Sequence, residues 1–246
     1  MIRALVSIFF WALTVILTVM VFLAVLFCET VLFPFDRKRK LAHAQGFWWA
    51  DILVAANPFW DVSVSGLDNI DKRKSYVVVV NHQSLADIAI LYKTHMQFKW
   101  VAKDVLFRIP VFGWCMSGMK YIRLSRGELG SIKDVYDDSG GWLKKGVSVL
   151  FFPEGTRSHT GEISSFKNGA FKLAIKEKKP ILPIYIEGTA DIITRGSWVF
   201  RGRAICRLKV LPAVETIDYR PEDFALLRDT VRQRLISERA TPGLKG

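Results

Sequence analysis

Between Arg3 and Glu29 the chain carries no charged side chain, and that run restricts it more than any other feature. As an α-helix, residues 4–28 would be about 37 Å long, against a hydrocarbon core of roughly 30 Å. A helix this apolar all round points to a membrane. A cleaved signal peptide is the competing reading, but the run is too long for one and no small-x-small pattern follows it. Spanning the bilayer and lying within one leaflet are both open to such a helix.

Asp36-Arg37-Lys38-Arg39-Lys40 follows directly. Four consecutive cations beside an apolar helix belong against anionic lipid on the cytoplasmic side. The remainder of the chain is therefore expected on the cytoplasmic face of a membrane. A second apolar segment, residues 42–60, holds Phe47, Trp48, Trp49, Phe59 and Trp60, with His43, Gln45 and Asp51 among them. Clustered Trp suits a headgroup layer. The two segments are expected to form a membrane-anchoring helical hairpin over residues 1–61. Ala4, Ser7, Trp11, Thr14 and Thr18 fall on one helical face, a stripe able to meet the second segment.

The balance of 35 Lys and Arg against 23 Asp and Glu, +12 in total, calls for an anionic partner. No zinc-finger spacing or RNP-like run supports nucleic acid, so none is expected, and membrane lipid fits the apolar N-terminus. Cys28, Cys115 and Cys206 are odd in number and far apart, which gives neither a disulfide framework nor a metal site.

From residue 62 the pattern is α/β. Tyr76-Val77-Val78-Val79-Val80 is a β-branched run of the kind buried on both faces. Residues 147–152, 181–186 and 204–211 are further strands. Helical stretches lie near 85–95, 128–145 and 168–178. A last helix opens at Pro221, with Glu222 and Asp223 suited to its dipole and Phe224, Leu227, Val231 and Leu235 as its buried face. The pattern predicts a mixed, mostly parallel sheet flanked by helices over residues 62–240, with a loose tail at 241–246.

Two strand ends carry chemistry. Asn81-His82-Gln83-Ser84-Leu85-Ala86-Asp87 follows the first strand, placing His82 where α/β folds usually place sites. Asp87 can fold back onto one ring nitrogen and leave the other free to take a proton. Alone, the pair is equally a surface histidine with a capping aspartate. Phe152-Pro153-Glu154-Gly155-Thr156-Arg157-Ser158 follows a later strand on the same edge. Gly155 permits close backbone approach, and the Arg157 fork suits a phosphate. Glu154 is expected to orient a hydroxyl or to position Arg157. A strand-end turn with a surface ion pair is the plainer alternative for this run. There is no GxSxG elbow, Walker A loop, dinucleotide fingerprint or HExxH run. A base would therefore act on a hydroxyl or water from outside.

These residues resemble the glycerolipid acyltransferase family, and most of all 1-acylglycerol-3-phosphate acyltransferases. Asn81-His82 through Asp87 is similar to the family's NHxxxxD block. Gly118 through Arg126 resembles the second block, Phe152 through Ser158 the FPEGTRS block, and Leu182-Pro183-Ile184 the last. Lys103 and the run from Ile109 to Trp114 fit the segment between the first two, and the resemblance covers residues 62–215. The second block departs from pattern. It offers Arg123 and Arg126 without the usual Asp, with Arg126 preferred for a phosphate.

The resemblance implies transfer of an acyl chain from acyl-CoA or acyl-carrier protein to the sn-2 hydroxyl of lysophosphatidic acid. His82 would be the base, Asp87 its orienter, and no acyl-enzyme would form. Lys103, Arg126 and Arg157, with Arg123 in reserve, would hold the phosphate beside Glu154, Gly155 and Thr156. No metal or bound cofactor is implied. The rivals are the same chemistry on glycerol 3-phosphate, another lysophospholipid or a lyso-aminolipid, a thioesterase, and a non-enzymatic membrane module.

Overall fold

A computed structural model describes residues 2–125, 129–158, 160–193 and 196–240. Its elements in chain order are α1 (Ile2–Thr30), α2 (Lys40–Ala55), β1 (Trp60–Ser65), β2 (Val77–Val80), α3 (Asp87–Tyr92) and β3 (Phe98–Lys103). There follow α4 (Asp104–Phe107), α5 (Phe112–Gly118), β4 (Ile122–Leu124), α6 (Leu129–Lys144) and β5 (Ser148–Phe151). The chain continues with α7 (Gly169–Lys176), β6 (Ile181–Glu187), β7 (Ala204–Val210) and α8 (Phe224–Ala240). The seven strands form one sheet in the order β1-β7-β6-β2-β5-β3-β4. Every pairing is parallel except β6 with β7. The sheet is thus mixed and mostly parallel, as the strand pattern predicts.

β2 is the middle strand, and all four of its valines are fully buried. Val78 and Val80 enter a core shared with α1, α2, α3 and α5, while Val77 and Val79 enter one shared with α6, α7 and α8. A strand covered on both faces has no polar side to show, which is why it reads as an unbroken valine run. The last helix buries Leu227, Val231 and Leu235.

The N-terminal hairpin shares that core and does not stand apart from the sheet. Val21, Val25 and Cys28 of α1 pack with Ala42 and Ala50 of α2 and with the even valines of β2. Contact runs nearly the whole length of α1. Ser7 Oγ accepts from the Phe200 amide at 2.9 Å, and the Trp11 indole donates to the Trp198 carbonyl at 2.7 Å. Trp49 of α2 donates to Thr18 Oγ1 at 3.2 Å, and Phe22 meets Trp114 of α5 with ring centroids 5.5 Å apart. Residues of the polar stripe thus do contact the second segment and the body.

One expectation changes. Of the four consecutive cations, Arg39 is buried and pairs with Glu29 at 2.9 Å, closing the hairpin turn. Asp36 accepts from the backbone amides of Lys40 and Ala42 at 2.6 and 3.0 Å and so caps α2. Arg37, Lys38 and Lys40 remain exposed. β1 also starts at Trp60, inside the stretch expected to belong to the anchor.

Gly46 marks the tightest seam between hairpin and body. A Cβ there would fall 2.3 Å from a Tyr92 ring carbon. Gly46→Ala improves helix propensity by about 1 kcal/mol, yet the overpacking costs about 1–3 kcal/mol. The melting temperature of the detergent-solubilised protein should fall by several degrees; a rise would contradict this packing.

Candidate active site

Parallel pairing of β6, β2, β5, β3 and β4 brings their carboxyl ends to one edge. There Asn81 extends the β2 ladder with its side chain. Its Nδ2 donates to the Ile186 carbonyl at 2.7 Å, and its Oδ1 accepts from the Ile186 amide at 2.8 Å. The primary amide satisfies a backbone pair of β6 just where β2 ends, so the next residue leaves the sheet at a fixed point.

That residue is His82. Its Nδ1 lies 2.6 Å from Asp87 Oδ2, which also accepts from the Gln83 and Ser84 amides at 2.7 and 3.1 Å. The other carboxylate oxygen of Asp87 accepts from the Thr189 hydroxyl at 2.5 Å. Asp87 is fully buried. A carboxylate accepts only, so Nδ1 carries a proton, and it is Nε2 that bears the lone pair in the neutral tautomer. The imidazole stacks on Phe152 with centroids 3.9 Å apart and lines a cavity of about 880 Å³. This is an oriented histidine with one ring nitrogen turned to that space.

The second strand-end motif holds the first by its backbone. Glu154 Oε1 accepts from the His82 amide at 2.8 Å, and Oε2 accepts from the amide and hydroxyl of Ser164 at 3.0 and 2.9 Å. The Ser158 amide donates to the His82 carbonyl at 2.8 Å. Glu154 is not paired with Arg157 among the described residues: its carboxylate is buried, takes these three donors and does not line the cavity. Gly155 has a φ of +70°, and a Cβ there would lie 2.9 Å from the Lys167 ammonium. Gly155, Thr156 and Arg157 all line the cavity, and Arg157 has no hydrogen-bond or ion-pair partner among the described residues.

Of the cations expected to hold a phosphate, Lys103 reaches the cavity from the end of β3. Arg123 does not. Alternation along β4 turns it away, and its guanidinium pairs with Asp104 at 3.3 Å and lies 4.8 Å from the Phe107 ring centroid. Arg126 lies outside the described residues, and its neighbour Ser125 lines the cavity. Sequence reasoning missed Lys167, which also lines it; its approach to Gly155, twelve positions earlier, has no linear signal.

Beyond His82 the cavity turns apolar, walled by Val21 of α1, Trp49 of α2, Trp100 of β3 and Met116 of α5. Tyr92 and Tyr121 lie among this lining, their hydroxyls 2.5 Å apart. Tyr121 donates to His43 Nδ1 at 2.9 Å, and His43 Nε2 donates to the Met96 carbonyl at 3.1 Å. Burial lowers the His43 pKa to about 3, so it stays neutral in this network. Cys115 also faces the cavity, but burial raises its thiol to about 11, leaving it a poor nucleophile.

A mouth of cations, an oriented base and an apolar recess form one continuous space. A family model described as Acyltransferase matches residues 61–187. The chain belongs to the acyltransferase family. It is 41% identical over 66% of its length to a chloroplastic 1-acyl-sn-glycerol-3-phosphate acyltransferase of Brassica napus, and 40% identical over 65% to one of Arabidopsis thaliana. It spans about half the length of these curated relatives, 47% and 45%. Against the alpha form from Mus musculus it is 32% identical over 75% of its length and 67% of that protein's. The crystal structure of the 1-acyl-sn-glycerophosphate (LPA) acyltransferase PlsC from Thermotoga maritima superposes with a TM-score of 0.80 at 28% identity, covering 97% of both chains.

The Glu154 bridge can be tested directly. An amide cannot accept on both sides, so Glu154→Gln sets an NH₂ against one of the donors it now satisfies. About 1–3 kcal/mol of stability should be lost, and activity should fall with it as the two loops separate. A variant with wild-type melting temperature and wild-type turnover would remove the bridge from the account.

Proposed function

We propose that the protein transfers an acyl chain from a thioester donor, acyl-CoA or acyl-carrier protein, to the sn-2 hydroxyl of 1-acylglycerol 3-phosphate, giving phosphatidic acid. The observation that carries this reading is the open Nε2 of His82 at the junction between a cationic mouth and an apolar recess. The named relatives, each called a 1-acyl-sn-glycerol-3-phosphate acyltransferase, support the acceptor.

In this reading Nε2 removes the hydroxyl proton as the acceptor oxygen attacks the thioester carbonyl. The tetrahedral intermediate collapses to the new ester, and the leaving thiolate takes the proton back from the imidazolium. Asp87 stabilises the positive ring between the two steps. A positioned base of this kind contributes about 10²–10⁴-fold. Arg157, Lys103 and Lys167 hold the acceptor phosphate, and the apolar recess accommodates an acyl chain. Burial of each chain CH₂ is favourable by about 0.8 kcal/mol.

We further propose that α1 lies in one leaflet without crossing the bilayer, and that the enzyme faces the cytoplasm. α1 alone among the described helices is long and apolar enough to span, over Ala4–Thr30. Yet body residues meet it from Ser7 to Glu29, and a spanning course would draw Trp60, Phe200 and α5 into hydrocarbon. Its outward side shows Leu5, Phe9, Ile16 and Leu23, and the turn after it shows Phe33 and Phe35, all exposed. Exposed Arg37, Lys38 and Lys40 sit beside that turn, where anionic headgroups would meet them.

The assay supplies purified protein with acyl-CoA and a panel of acceptors, following phosphatidic acid and free fatty acid. His82→Ala should lower transfer about 10²–10⁴-fold, and Arg157→Ala should raise KM for the phosphorylated acceptor more than it lowers kcat. Free acid formed without acceptor dependence would make the protein a thioesterase. Phe33→Asp with Phe35→Asp should weaken binding to anionic vesicles at least tenfold, since each buried Phe is worth about 1.5–3 kcal/mol. Unchanged vesicle binding would contradict the shallow placement.

A further inference from the structure

Asp87 Oδ2 takes three donors, whereas Oδ1 takes one, and that donor comes from the turn that follows β6. We propose that Thr189 is a positioning residue for acyl transfer: its hydroxyl fixes the Asp87 carboxylate and, through it, the proton affinity of His82. The proposal rests on the reading of His82 as the base. Thr189 lies beyond the family match, which ends at residue 187.

The local fold is built to deliver this hydroxyl. β6 runs parallel to β2 and ends at the same edge. The chain then turns at Gly188, with φ +80°, into a 3-10 turn at Thr189–Asp191. A Cβ at Gly188 would fall 1.9 Å from the Ile205 carbonyl oxygen, so only glycine permits β6 and β7 to approach this closely at the turn. The turn aims Thr189 inward, where it is fully buried and donates to Asp87 at 2.5 Å. Its neighbour Ile193 accepts from the Ser84 hydroxyl at 3.1 Å, a second tie between this turn and the His82 loop. Thr189 does not line the cavity, so it touches no substrate.

The consequence follows from charge. The active pair is neutral imidazole with carboxylate, net −1, and protonation brings it to zero. A buried carboxylate that loses a donor is destabilised more in the net −1 state than after the pair is protonated. Removing the Thr189 hydroxyl therefore raises the apparent pKa of the pair, whichever group takes the proton.

Other titratable groups surround the pair. Glu154 is occupied by the His82 amide and Ser164. Cys206 on β7 is buried, which raises its thiol to about 12. Asp191 is exposed and lies 3.9 Å from Arg201. Lys103, Arg157 and Lys167 face the cavity. Substitution at Thr189 leaves all of these in place.

The test measures kcat, KM for both substrates and the pH profile of kcat/KM in Thr189→Val, Thr189→Ser and Thr189→Cys, in the full-length protein with acyl-CoA and 1-acylglycerol 3-phosphate. Valine keeps the shape and removes the donor. It should lower kcat about 10- to 100-fold, leave both KM values within twofold, and move the acid limb to higher pH. Serine should restore both the limb and most of the rate, and cysteine, a weaker donor, should fall between. Should the valine variant fail to fold by thermal melting, the cysteine and serine pair carries the comparison. A valine or cysteine variant that loses rate with an unmoved acid limb overturns the proposal, as does one with wild-type kcat. An acid limb that survives His82→Ala unchanged overturns the base reading instead.

Discussion

The site depends on one exchange of backbone hydrogen bonds. Where β2 ends, the His82 amide leaves the sheet ladder and donates to the Glu154 carboxylate, while the His82 carbonyl accepts from Ser158. A buried backbone group without a partner would cost about as much as a lost hydrogen bond, so the two loops must close together. Side-chain geometry follows from that closure. The imidazole is set down on Phe152, its Nδ1 meets Asp87, and Gly155 and Arg157 line the same cavity. Two motifs 72 residues apart thereby act as a single rigid element.

The second constraint is the unity of hairpin and body. Val21 of α1 and Trp49 of α2 line the cavity that His82 faces, so the helix offering an apolar face outward also walls the site inward. Under the proposed function this arrangement lets an acyl chain reach the recess from a bilayer without passing through water. The aromatic layer of Trp100, Tyr92 and His43 connects the two regions, with Trp100 stacked on Phe152 at 5.7 Å and Tyr92 6.1 Å from Trp100.

The central strand and the first helix were legible because their apolar runs are unbroken. β2 is covered on both faces and reads as Val77 to Val80, and α1 is uncharged from residue 4 to residue 28. Edge and interrupted strands were not. β1 alternates Trp60, Asp61, Val62 and Ser63 at the sheet's rim, and β3 hides behind Lys99, a buried lysine whose ammonium donates to the Met119 carbonyl at 2.6 Å. The His82–Asp87 pair was legible because its members lie five positions apart in the chain. The work of Glu154 was not, since its partners are Ser164 and an amide just beyond the end of another strand. Arg123 reads as a phosphate ligand until Asp104, nineteen positions earlier, is seen to hold it. Local pattern shows which atoms are polar; only the fold shows which are already engaged.

The central claim is that an oriented base acts on an external hydroxyl, with no covalent stage on the protein. Intact-protein mass spectrometry after mixing with excess acyl-CoA, in the absence of acceptor, tests it most directly. The chain should stay unmodified at every time point, and product should form without any modified chain when 1-acylglycerol 3-phosphate is added. A population heavier by one acyl group, discharged on adding the acceptor at the rate of turnover, would contradict it.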